Sequence, residues 1–64
     1  MTKKVYWVRF RENYDVDGVD EVCDKFHESE QVYADKVVRF VGTPERLQEF
    51  VRALKAVEPE VKYK

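Results

Sequence analysis

Cysteine occurs once in this chain of 64 residues, histidine once, glycine twice and proline twice. With Cys23 alone, an intrachain disulfide is excluded, and a lone thiol suits a reducing compartment. No apolar run is longer than Val5–Val8. A membrane span needs about 20 such residues, and a secretory leader an apolar core of roughly 7–15. Neither is expected, and a cytoplasmic location follows. Amides are also scarce, while charged residues make up 39% of the chain, the compositional direction of thermophile proteins. A large excess of one charge is missing as well. The formal net charge of −1 argues against nucleic-acid binding driven by bulk electrostatics.

What is present is apolar content of 44%, enough for one globular domain, 1–64, and too much for a disordered chain. At this length only about 60% of the unfolded surface is buried, so the core must be well packed. The charge is segregated: Glu12 to Glu30 holds eight acids against Lys25 alone, while the flanking segments are basic. Acids at that density imply a solvated helix face, a bound cation or a basic partner.

Lys4 to Glu12 alternates as a strand, with Tyr6, Val8 and Phe10 on one face and Val5, Trp7, Arg9 and Arg11 on the other. Val19, Val22, Cys23 and Phe26 then mark one side of a helix that is expected to end near Ser29. Gln31–Ala34 and Val37–Val41 read as two strands joined at Asp35 and Lys36. Thr43 and Pro44 open a second helix with a stripe of Leu47, Phe50, Val51, Leu54 and Val57, and Pro59 stops it. Glu60–Tyr63 closes as an edge strand. The order β-α-β-β-α-β predicts a ferredoxin-like α+β domain, a four-stranded antiparallel sheet with two helices on one face. If 31–41 were a single strand, a three-stranded β-α-β-α-β sheet would result.

Asn13, Asp15, Asp17, Gly18, Glu21 and Asp24 have a loop spacing that resembles the calcium loop of the EF-hand family. The resemblance implies calcium held by Asn13, Asp15, Asp17, Glu21 and Asp24. Asp20 stands where that family has an apolar residue, Asp24 replaces the bidentate glutamate, and no helix precedes the loop. Helix capping by Asp15 or Asp17, with Gly18 easing the turn, is therefore favoured. The element order is also similar to that of small heavy-metal chaperones, but their Cys-x-x-Cys pair is missing. Cys23 and His27, four apart, make too few ligands for a site, and Cys23 falls on the apolar stripe. No nucleophile-base-orienter set is evident, so no enzyme activity and no cofactor are expected.

The sheet face left open by the helices is the expected binding surface. Trp7, Arg9, Arg11, Tyr33, Val37, Arg39 and Val41 are its candidates. Val5, Trp7, Val37 and Val41 form an apolar patch suited to a protein partner, including a second copy of the chain, and Trp and Arg favour interface hot spots. The leading expectation is a small adaptor, regulator or inhibitor, homodimeric through this face. The first alternative is single-stranded nucleic acid, with Trp7 and Tyr33 stacking bases and Arg9, Arg11 and Arg39 on phosphates. In placement that face resembles an RNA-recognition module. A further alternative uses an acidic strip, Asp17, Asp20, Glu21, Asp24 and Glu28, to block a nucleic-acid-binding protein.

Overall fold

The computed structural model describes residues 3–63. Its elements are β1 (Lys4–Phe10), α1 (Val16–Lys25), β2 (Ser29–Val32), a 3₁₀ turn (Tyr33–Asp35), β3 (Val37–Gly42), α2 (Pro44–Val57) and β4 (Val61–Tyr63). The fold is α+β, with one open antiparallel sheet in the order β2-β3-β1-β4 and two helices. β2 and β3 are distinct strands, so the three-stranded alternative is set aside. None of the described helices is long and apolar enough to cross a membrane.

Alternation in the central strands decides which face is covered. Val8, Val38 and Phe40 project to one side and share a single core with Val19 and Val22 of α1 and Leu47, Phe50, Val51 and Leu54 of α2. Both helices therefore pack on that side. Phe50 is its centre, stacked on Phe40 at 4.9 Å and meeting Phe26 edge-on at 5.2 Å.

Three elements differ from the sequence reading by two residues or more. α1 stops at Lys25 rather than near Ser29, because Phe26 is extended and the Ser29 hydroxyl donates to the carbonyls of Phe26 (2.7 Å) and Cys23 (3.3 Å). Those bonds satisfy carbonyls that a longer helix would have used. Phe26 still reaches the core, from outside the helix. β2 lies at Ser29–Val32 rather than Gln31–Ala34. The reversal into β3 needs the 3₁₀ turn and then Lys36, which takes the left-handed conformation (φ 56°) usually left to glycine. β1 ends at Phe10, two residues before Glu12.

Asp15 caps α1, its Oδ1 accepting the Gly18 N–H at 3.1 Å. Gly18 is helical here and serves close packing: a Cβ on it would stand 2.6 Å from Asp15 Oδ2 and 3.2 Å from Val57 Cβ on α2. Gly18→Ala thus sets a helix-propensity gain of up to about 1 kcal/mol against a disturbed cap, about 0.5–2 kcal/mol, and a displaced helix, about 1–3 kcal/mol. The expected outcome in urea unfolding is a net loss of about 1 kcal/mol or more. A gain in stability would show that α1 and α2 are not in tight contact there.

Candidate functional site: the open sheet face

Register pairs place the open-face side chains in three rows across the strands. Val5 stands opposite Val41; Trp7 is opposite Arg39, which is opposite Glu30; and Lys62, Arg9, Val37 and Val32 form the third row. Side chains at register partners share a face, so these rows are fixed by the backbone. Val5 is 50% and Trp7 46% exposed although both lie on a central strand. Val37, by contrast, is buried although it belongs to the same face, enclosed between Arg9 and Val32 with Trp7 and Asp35 nearby. Trp7 forms a ridge with a depression on each side, one toward Lys62 and Tyr63, the other toward Asp35 and Val37.

The cations of this face are not equivalent. Arg39 meets Glu30 at 3.5 Å. Arg9 and Lys62 stand side by side in register, and among the described residues neither has a carboxylate within ion-pair distance. Like charges directly opposite each other are unfavourable in a sheet, and no ion pair among the described residues offsets that repulsion.

Two expected members lie elsewhere. Tyr33 is turned to the helix side, where its hydroxyl donates to Asp20 Oδ1 (2.8 Å) and Oδ2 (3.0 Å) on α1. Alternation is the reason: Val32 pairs with Val37 on the open face and Gln31 with Val38 on the core face, so residue 33 follows Gln31 to the helix side. Arg11 leaves the sheet past the end of β1, and its Nε donates to Glu58 Oε2 at 2.8 Å. Trp7, Arg9, Val37, Arg39 and Val41 remain together, and Val32, Glu30 and Lys62 join them.

Glu58 was absent from the sequence reading. It is 1% exposed and follows α2, where its Oε1 accepts the Asp15 N–H at 3.3 Å while Oε2 takes Arg11. The hydrogen bond from Arg11 holds the Glu58 carboxyl below the usual carboxylate value and raises the guanidinium in turn. A second polar chain runs along β2: Tyr14 donates to Gln31 Oε1 (2.7 Å), and Gln31 Nε2 donates to Asp20 Oδ1 (2.6 Å). Burial, then the nearby Asp20 charge, raises Tyr14; the hydrogen bond to Asp20 raises Tyr33.

The acidic segment divides on inspection. Asp17, Glu21 and Asp24 are exposed on α1. Asp20 is half-buried in the Tyr33 and Gln31 contacts. Glu28 lies beyond the helix and is held by Arg46 Nε at 2.8 Å, a contact that lowers its carboxyl, while the guanidinium also covers the Phe26 ring at 4.9 Å. The expected five-residue strip is therefore three residues long. The stretch with calcium-like spacing forms a capped helix start, Asp15 accepting the Gly18 N–H; no described glycine has positive φ, and no three His, Cys, Asp or Glu side chains among the described residues form a metal-holding group. Cys23, half-buried against the core, has its thiol pushed up by burial; His27 is exposed and lies outside α1, so the two do not share a helix. Comparison with known protein families, curated proteins and solved structures found no match to this chain.

Proposed function

We propose that this chain is a small protein-binding module without chemistry of its own, an adaptor, regulator or inhibitor, and that it forms a homodimer through the open sheet face. The observation that carries this is the exposure of Val5 and Trp7, 50% and 46%, on a central strand whose outer face no helix covers. A tryptophan beside valines and arginines is the composition of an interface centre. The strand order, with β1 and β3 central and the helices on one side, supports the ferredoxin-like reading of the fold. A lone half-buried thiol suits a reducing compartment such as the cytoplasm.

Protein is favoured over nucleic acid by what leaves the face. Without Tyr33 and Arg11, one of two expected stacking rings and one of three phosphate ligands are gone, and valines occupy the positions where further rings would stack.

Sedimentation equilibrium at micromolar concentration tests the proposal. The wild-type chain is expected to be dimeric, and Trp7→Glu to weaken dimerisation at least about 100-fold, as loss of a buried hot-spot aromatic does. Trp7 is the chain's single tryptophan, so its emission should shift to the red on dilution. A wild-type chain that stays monomeric overturns the homodimer. Tight, steeply salt-dependent binding of an oligouridylate by that monomer would put the nucleic-acid reading in its place.

A further inference from the structure

We propose that the two copies pack open face to open face about a twofold axis that runs parallel to the strands, between β1 and β3. This rests on the open face being the self-association surface and adds to it the arrangement of the pair. Two sheets packed face to face stand about 10 Å apart with their strands nearly aligned. A twofold contact also places the same patch on both sides, so each side chain must suit the one that symmetry puts opposite it.

The three rows of the open face, with Lys62 and Glu30 on opposite edges, favour one axis, because any twofold perpendicular to the strands lays each strand on its own copy and keeps β4 away from the partner's β2. A twofold perpendicular to the strands, running along the middle row, sets Arg39 on the partner's Arg39 and Glu30 on the partner's Glu30. Along the outer row it sets Arg9 and Lys62 on their own copies. Those arrangements bring like charges together in a desolvated contact, which opposes association strongly. A perpendicular axis along the Val5–Val41 row leaves most of the face uncovered, including the row of Arg9 and Val37.

The axis parallel to the strands stacks no cation on its own copy and instead sets Arg9 and Arg39 each one strand spacing, roughly 4.8 Å, to the side of that copy. It keeps each row level and reverses its order, so that β1 lies over the partner's β3. Val5 then meets the partner's Val41. Trp7 meets the partner's Arg39, the geometry of a cation–π contact. Arg9 meets the partner's Val37, and no cation faces its own copy. Lys62, on β4, comes to lie over the partner's β2, in line with Val32 and one row from Glu30. One row is two residues along the strand, roughly 6.6 Å, within the reach of a lysine side chain. The Arg9–Lys62 pair, which has no ion-paired carboxylate among the described residues of its own chain, receives a counter-charge from the partner.

A double-mutant cycle on the dimerisation constant tests this directly. Within one chain Glu30 and Lys62 sit on opposite edges of the sheet, three strand spacings or roughly 14 Å apart, beyond direct contact. Any coupling between them is therefore made across the dimer. Glu30→Gln and Lys62→Gln are each expected to weaken dimerisation about 5-fold, two equivalent exposed ion pairs being lost per dimer. The double variant is expected to be weakened about 5-fold as well, not about 25-fold. The loss of the Glu30–Arg39 contact is common to both arms and cancels. Effects that simply multiply would overturn the axis while leaving a dimer in place. A monomeric wild-type chain would overturn both the axis and the surface it rests on.

Discussion

Phe50→Ala is expected to leave this chain largely unfolded at 37 °C. Phe50 is fully buried, stacked on Phe40 at 4.9 Å with an interplanar angle of 23° and met edge-on by Phe26 at 5.2 Å. Truncating a buried phenylalanine costs about 3–5 kcal/mol, part from lost transfer free energy and part from the cavity that remains. A domain of this length has a total stability of only about 3–10 kcal/mol at the usual value per residue. The single ring therefore decides whether the sheet has a helical layer to pack against. Phe50→Leu, which refills most of the space, should cost under about 2 kcal/mol. Urea unfolding followed by circular dichroism measures both, and a loss below about 1 kcal/mol for the alanine variant would show that the core is centred elsewhere. Trp7→Ala supplies the contrast. As a half-exposed side chain on the open face it should change monomer stability by less than about 1 kcal/mol while disrupting association. The two aromatics separate folding from binding.

Periodicity carried most of the fold. The stripe of Leu47, Phe50, Val51 and Leu54 and the alternation of β1 are strong, sustained patterns, and both place their side chains where the structure has them. The β2–β3 reversal was less legible, because it depends on Lys36 adopting a left-handed backbone that no glycine, asparagine or proline announces. A shift of two residues leaves each side chain on its own face, so Tyr33 falls with Gln31 on the helix side in either placement, where it meets Asp20 on α1. Alternation extended past Phe10 places Arg11 on the open face, whereas β1 ends there and Arg11 turns to Glu58. For Glu58 a signal existed. Positions 47, 50, 51, 54 and 57 fix the inward side of α2, and 58 is the next inward position, four beyond Leu54. A charged residue at an inward position calls for a partner, and the basic residue nearest in the folded chain is Arg11.

The acidic segment shows why local charge is a poor guide to a site. Glu12 pairs with Lys36, Asp15 caps α1, Asp20 binds Gln31 and Tyr33, and Glu28 binds Arg46. Half of its carboxylates thus fasten loops and turns to neighbouring elements. Those left on the surface of α1 lie on the helix layer, away from the cations of the open face. The resulting polarity across the sheet keeps Asp17, Glu21 and Asp24 clear of the proposed dimer contact, where they would otherwise compete with Glu30 for Arg9 and Lys62.

Glu58→Gln is expected to lower the melting temperature at neutral pH by on the order of 10 °C, a large effect for one buried atom exchange. Glu58 ties the end of β1, through Arg11, to the start of α1, through the Asp15 N–H, at the point where α2 stops. Pro59 holds the preceding residue extended, which turns the Glu58 side chain back into that junction. The amide keeps an acceptor for Asp15 but presents a donor to the Arg11 guanidinium, so a buried charge-assisted bond becomes a mismatch. The pH dependence follows from the direction of the shift. A carboxylate held below its ordinary value of 4.5 contributes stability that is fully present above that value and is lost as pH falls through the lower, folded one. Glu28, lowered by Arg46, and Glu12, lowered by Lys36, act in the same direction. The wild-type melting temperature should therefore fall as pH is taken below 4.5, and Glu58→Gln should flatten that fall while starting from a lower plateau. Arg11→Gln leaves the carboxylate buried with one donor fewer, and the pair Arg11→Gln with Glu58→Gln should be less damaging than the two effects added together. An unchanged melting temperature in Glu58→Gln, or an acid transition as steep as that of the wild type, would show that the junction is held by the backbone alone.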